Sequence, residues 1–236
     1  MKSVIDIPLF AALDLDQRDS AIGLAKDLRP YVGGFKIGPR LTMKYGDDFV
    51  RELAKVGPVL VDNKYYDIPT TMEASVRATF SAGASYATIH AAAGPETLKL
   101  LADVEEELNK IRPFQLLVVT VLTSYEQNTL PPNWIDSPID KQVEMLAQSA
   151  MDSGLTGFVC SAHEVQKLRE MFPKAFLLTP GIRFMNEGHG DQKRVMSPQQ
   201  AMKAGSSALV VGRPLYLSDD PIAVAKSYHA AVSSMG

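Results

Sequence analysis

The chain has a single cysteine, Cys160, and a single tryptophan, Trp134, in 236 residues. One thiol excludes an intramolecular disulfide, so the fold must be held by its core, and the chain suits a reducing compartment. No apolar run reaches the roughly 18 residues that a membrane span requires. The opening residues Met1-Lys2-Ser3-Val4-Ile5-Asp6 are interrupted by charge and lack the apolar region of a secretory signal. Neither charge sign dominates: 24 Lys and Arg stand against 27 Asp and Glu, a formal net charge of -3 that offers no footprint for nucleic acid or an anionic membrane. There is no HExxH, no CxxC and no cluster of His with carboxylates to hold a metal tightly. No glycine-rich dinucleotide fingerprint follows the first apolar run, which lowers the open-sheet reading. Together these absences lead to the expectation of a soluble, cytoplasmic protein with no tightly bound metal.

What is present is an alternation of short apolar runs with helical patterns. The apolar runs are Ile7 to Leu13, Gly34 to Gly38, Pro58 to Lys64, Tyr86 to His90, Phe114 to Leu122, Gly157 to Cys160, Ala175 to Leu178 and Ala208 to Val211. Between them lie predicted helices over Ser20 to Leu28, Lys44 to Lys55, Thr70 to Ala82, Pro95 to Lys110, Asp140 to Asp152, Glu164 to Met171 and Ser197 to Lys203, with a last one over Pro221 to Val232. In the Pro95 helix, Leu98, Leu101, Val104 and Leu108 form one apolar stripe. Three helix ends share a pattern, Ser81-Ala82-Gly83, Asp152-Ser153-Gly154 and Lys203-Ala204-Gly205, each placing glycine where a helix terminus wants a left-handed residue. Eight β-then-α units with short connections imply parallel strands and right-handed crossovers. Their number favours one closed (β/α)8 TIM barrel over residues 1–236, a single α/β domain without a linker.

The polar residues give the site. In such a barrel the active site lies at the C-terminal ends of the strands. Asp14, Lys36, Asp62, Lys64, Thr123, Ser124, Arg183 and Gly212-Arg213 all fall there. The third run is the densest. Asp62 and Lys64 are two residues apart and leave the strand on one face, whereas Val61 and Asn63 point away. Asp67 follows in the loop, and Pro69-Thr70-Thr71 opens a helix with hydroxyls as candidate caps. Asp62 and Lys64 alone fit a structural ion pair bracing a strand end. Adding Lys36 and Asp67 makes an alternating, neutral set of two cations and two anions that survives burial and aims a charged lysine. A second cluster runs through Thr179-Pro180-Gly181-Ile182-Arg183, Gly188-His189-Gly190-Asp191-Gln192-Lys193-Arg194 and Gly212-Arg213-Pro214. Loops after strands seven and eight are the usual phosphate site of these barrels, and the segment from Phe184 to Arg194 is long enough for a closing lid. A solvated basic loop is the plainer reading of that segment. His90 reads as a hydrogen-bonded structural histidine and Cys160 as an inert core thiol.

The elements Asp62-x-Lys64-x-x-Asp67-Ile68-Pro69-x-Thr71, Lys36, Pro180-Gly181-Ile182-Arg183, Gly190-Asp191-Gln192-Lys193-Arg194 and Gly212-Arg213 resemble the orotidine 5'-phosphate decarboxylase family. The resemblance runs from the first strand to the last. The D-x-K-x-x-D element by itself is shared with sugar-phosphate relatives of the same superfamily, and I-P-x-T with the G-D-Q-K-R segment is more specific. The resemblance implies a cofactor-free, metal-free lyase of de novo pyrimidine biosynthesis that turns orotidine 5'-phosphate into UMP and carbon dioxide. It implies Lys64 as the acid that protonates C6, Asp62 near the departing carboxylate, and Lys36 orienting Asp62 and the ribose. Asp14 would bind the ribose, Thr123 and Ser124 would meet the pyrimidine, and Ile68 and Thr71 would also touch substrate. Arg183, Gln192, Gly212 and Arg213 would hold the phosphate, with Gln192 closing over it. Asp67 would reach into the partner's site of a homodimer. Asn63 departs from the apolar residue common there in bacterial members, and facing away it reads as a packing change. Two rivals stay open: a magnesium-dependent sugar-phosphate decarboxylase or aldolase, and a non-catalytic nucleotide-binding barrel.

Overall fold

A computed structural model describes residues 5–130, 134, 137–184 and 196–233. Short apolar runs followed by helices form eight parallel strands: β1 (Leu9–Ala12), β2 (Gly34–Ile37), β3 (Val59–Tyr65), β4 (Tyr86–His90), β5 (Gln115–Val119), β6 (Gly157–Val159), β7 (Phe176–Thr179) and β8 (Ala208–Val211). They close in sequence order into a barrel, with β1 paired to β8. Helices α1 (Arg18–Leu28), α2 (Pro39–Ala54), α3 (Pro69–Ser81), α4 (Pro95–Asn109), α5 (Ile139–Asp152), α6 (Val165–Met171), α7 (Pro198–Ala204), α8 (Arg213–Tyr216) and α9 (Pro221–Ser233) lie between and after the strands. The expected TIM barrel is therefore the fold.

Strand alternation divides the core into layers. Outward residues such as Val59, Val61, Ala87, Ile89, Leu116 and Val118 are buried against the helices. Inward residues fill the barrel. Near its N-terminal end Tyr86 meets the edge of Phe10 at 5.5 Å and stacks on Phe176 at 5.7 Å, an aromatic plug that closes that end. Leu60, Leu178 and Val210 lie above it and form the floor of the site. The α4 stripe of Leu98, Leu101, Val104 and Leu108 is buried as its spacing predicts. Gly83, Gly154 and Gly205 all have positive φ (101°, 100° and 108°) and turn the chain into the next strand.

Several boundaries differ from expectation for local reasons. The fifth strand stops at Val119 although the apolar run continues to Leu122, because three-residue β6 offers partners only to Val118 and Val119. Helix α2 starts at Pro39 rather than Lys44, with proline in its first turn and a break at Gly46 (φ 62°) dividing it in two. At α3 the N-cap is Ile68, and neither Thr70 nor Thr71 supplies a side-chain cap. Helix α8 and the 3-10 turns Arg29–Tyr31, Ala91–Ala93 and Gln127–Thr129 have no counterpart in the hydrophobic pattern, being too short to show a period.

Candidate active site

Alternation carries the inward faces of the strands up to the C-terminal rim, where they enclose a cavity of about 290 Å³. Ala12 and Asp14, Leu60 and Asp62, and Val210 and Gly212 line it in steps of two, so at β1 and β3 a hydrophobic floor gives way to charge within one residue pair. On this floor the charges form a chain. Lys36 Nζ lies 2.9 Å from Asp14 Oδ1 and 3.9 Å from Asp62 Oδ2, and Lys64 Nζ lies 2.9 Å from Asp62 Oδ1. The order Asp14–Lys36–Asp62–Lys64 alternates in sign and sums to zero, the condition under which buried charges persist. Lys36 and Asp62 are the sheltered members, with side chains 15% and 18% exposed, and Asp14 and Lys64 close the ends at 37% and 38%. Asp14 therefore takes the place that the sequence pattern assigns to Asp67. Within its own chain Asp67 is exposed and its Oδ1 accepts the Ile68 N–H at 2.7 Å.

Asp62 and Lys64 share a face, and the reason is more than strand alternation. Val61 pairs with Ala87 and Tyr65 with Ile89, so three residues of β3 stand opposite Thr88 alone. The excess of two residues (three minus one) preserves parity, so Val61 and Tyr65 still face the helices while Asp62 and Lys64 both face inward. The bulge is taken up at Lys64, whose φ of 50° is the one positive value at a non-glycine among the described residues. Asn63, on the outer face, accepts from Thr42 Oγ1 at 2.9 Å and donates to Tyr65 Oη at 3.3 Å. Its amide ties β3 to α2, a hydrogen-bonding role beyond packing. Thr88, fully buried beneath the bulge, is a residue that motif reading missed. Its signal was a hydroxyl at inward parity on β4, two residues after Tyr86.

The opposite wall comes from the loops after β7 and β8. Arg183 lines the cavity, and its Nε is buried with no hydrogen-bond partner among the described residues. Its own N–H donates to Met196 O at 3.1 Å, next to an isolated bridge between Ile182 and Met196 that ties the two ends of the connecting segment together. Gly212 and Arg213 complete that wall. Tyr216, also missed from the sequence, lines the cavity as well. Burial and then the negative charge of Asp14 push its phenol upward, so it stays protonated. Thr123 lines the cavity, whereas Ser124 is exposed beside it. Ile68 and Thr71 are exposed with Asp67 and do not line the cavity of their own chain. Gln192 and the rest of 185–195 lie outside the described residues.

His90 accepts the Ala92 N–H at Nδ1, 3.2 Å, and burial followed by the charge of Lys64 lowers its pKa, in keeping with a neutral structural histidine. Cys160 is buried, and that burial pushes its thiol up and leaves it unreactive at neutral pH. Among the described residues no three His, Cys, Asp or Glu side chains cluster so as to hold a metal ion, and no helix is long and apolar enough to cross a membrane.

Comparison with known proteins gives the chain a family and bears out the barrel. A sequence profile described as the orotidine 5'-phosphate decarboxylase / HUMPS family matches residues 8–228. The orotidine 5'-phosphate decarboxylase of Vibrio campbellii is 39% identical over 234 residues, covering 98% of this chain and all of that protein. The protein of that name from Sphingopyxis alaskensis is 37% identical over 226 residues, covering 95% of this chain and 99% of its own. The crystal structure of orotidine 5'-phosphate decarboxylase from Lactobacillus acidophilus superposes with a TM-score of 0.83 at 32% identity, covering 96% of this chain and 99% of that one.

Proposed function

The chain belongs to the orotidine 5'-phosphate decarboxylase / HUMPS family, and from that membership we propose that it converts orotidine 5'-phosphate to UMP and carbon dioxide in de novo pyrimidine biosynthesis. The observation that carries the proposal is the Asp14–Lys36–Asp62–Lys64 chain on the cavity floor, ending in a lysine whose Nζ is held 2.9 Å from a carboxylate. Cleavage of the C6–carboxylate bond leaves its electron pair on C6, in an orbital in the ring plane that cannot conjugate with the ring. Stabilisation must then be electrostatic, and a prepositioned ammonium supplies it without reorganising at the moment of reaction. In this reading Lys64 gives its proton to C6 as carbon dioxide departs, and solvent restores the proton to the amine. Asp62 faces the departing carboxylate, while Lys36, held between two carboxylates, keeps Asp62 in place and meets the ribose with Asp14. Thr123, with Ser124 beside it, receives the pyrimidine.

Arg183, Gly212 and Arg213 take the phosphate, and Gln192 is assigned to its closure. Phosphate binding far from C6 then contributes to lowering the barrier by holding the base against Lys64. A homodimer belongs to the same reading. Asp67 is flanked by Tyr66 and Ile68, which are 64% and 63% exposed, an apolar surface suited to a second copy. Asp67, with Ile68 and Thr71, would reach the partner's site. Nothing in this chemistry calls for a cofactor, and a reducing cytoplasm suits the free thiol.

The test is an ultraviolet assay of orotidine 5'-phosphate loss with EDTA present. The expected result is turnover at a rate that EDTA does not change. Loss of turnover on chelation would favour the magnesium-dependent sugar-phosphate enzymes, and binding of UMP without turnover would favour a nucleotide-binding barrel.

A further inference from the structure

We infer that Thr88 is a positioning residue for the reaction, the single hydroxyl that sets both Lys64 and Asp62. Its hydrogen bonds are fixed by donor and acceptor accounting. Lys64 N, 2.8 Å away, can only donate, so Thr88 Oγ1 accepts there. The one hydroxyl hydrogen is then free to go to Asp62 Oδ1 at 3.0 Å, the same oxygen that accepts from Lys64 Nζ at 2.9 Å. One fully buried side chain thus closes a ring through the backbone of Lys64, its ammonium and the carboxylate of Asp62. The Lys64 N–H has left the regular β3–β4 ladder, and its left-handed φ of 50° is strained unless surrounding contacts hold it. Thr88 stands alone opposite the three bulged residues and is the partner that meets this N–H. Strained backbone held by a hydrogen bond to a buried hydroxyl at a site is the arrangement expected where the aim of a side chain matters more than local stability.

The inference rests on the decarboxylase reading, and its test separates the two. Wild-type protein, Thr88→Val and Thr88→Ser are compared in the ultraviolet assay, with melting temperature measured in parallel. Valine keeps the shape and removes both hydrogen bonds, whereas serine keeps the hydroxyl and loses a methyl group. We expect Thr88→Val to lower kcat by about 100-fold with KM changed by less than about threefold, since one hydrogen bond to a carboxylate and one to the Lys64 backbone are lost at the reacting centre and not at the phosphate end. Thr88→Ser should recover to within about fivefold of wild type. If the valine protein does not fold, Thr88→Ala reports the same loss without the added methyl. Valine turnover within threefold of wild type, or serine as slow as valine, overturns the positioning role. An inactive wild-type protein instead overturns the decarboxylase reading.

Discussion

At the N-terminal end of the barrel Arg169 donates five hydrogen bonds, to the carbonyls of Pro173, Ala175 and Gly205 and to Ser207 Oγ. Arg112 does similar work there, donating to Phe80 O and Ala84 O while its guanidinium lies over the Phe80 ring. At the C-terminal rim, among the described residues, the ammonium groups of Lys36 and Lys64 meet carboxylates, at 2.9 Å from Asp14 and Asp62. The same charges serve different ends because the acceptors differ. Loop carbonyls at the closed end have few other partners, and each is costly to leave unpaired. Rim carboxylates and ammoniums can exchange one another for substrate groups. Substitutions at the closed end should therefore cost stability and spare turnover, and those at the rim the reverse.

The largest break in that comparison should come from Lys64→Ala. In the proposed mechanism, removing the ammonium deletes both the proton donor and the charge facing C6, and we expect kcat to fall by at least about 10⁴-fold with UMP binding still measurable. Near-normal turnover would remove Lys64 from its role. Mixing this chain with an Asp67→Ala chain sharpens the result, because in the proposed dimer each heterodimer would pair one intact Lys64 with one intact Asp67. Random pairing should restore about a quarter of wild-type activity, and no recovery would refute the shared site. Arg213→Ala is expected to weaken phosphate-bearing ligands by about 100-fold and the matching nucleosides hardly at all. Equal losses for both would contradict the phosphate assignment.

The rim was the more legible end in the sequence. Asp62 and Lys64 announce themselves because charge at the end of an apolar strand is rare, and the eight-fold β-then-α rhythm places that strand end on a known face. The identity of the fourth charge was not legible. Spacing favours Asp67, three residues after Lys64, whereas the barrel brings Asp14 beside Lys36 through the β1–β2 pairing of Ala12 with Lys36. Thr88 was hidden for a related reason, since its role depends on a register shift between β3 and β4 that no single strand encodes. Closed-end residues such as Arg169 were invisible, because a guanidinium that caps loop carbonyls has no sequence spacing of its own.

Arg169→Met tests that closed end. Methionine keeps the stem and leaves the carbonyls of Pro173 and Gly205 without their donor and that of Ala175 with the long 3.4 Å bond from Ser207 Oγ. We expect about 4 kcal/mol of lost stability in denaturant unfolding, with kcat per folded molecule within twofold of wild type. A variant that unfolds normally but turns over slowly would place Arg169 in the chemistry and dissolve the division between the two ends.

The smallest expected effect concerns Glu105, a closed-end carboxylate that lacks the pairing seen at the rim. It is 5% exposed, and its Oε2 accepts the Leu116 N–H at 2.6 Å. Burial raises its pKa from 4.5 to about 7, with the Leu116 N–H opposing the shift. Between those values the folded state binds more protons than the unfolded one, so stability falls as pH rises from 4.5 to about 7 and stays reduced above that. Glu105→Gln keeps an oxygen for Leu116 and never ionises. It should melt close to wild type near pH 4.5 and be more stable at pH 8, by about 1 to 3 kcal/mol. A difference between the two proteins that does not change with pH would show that Glu105 is not held neutral by burial. Turnover should be the same in both, because a lone buried carboxylate at the closed end acts on stability alone, whereas at the rim Asp62 has Lys36 and Lys64 to keep its charge in use.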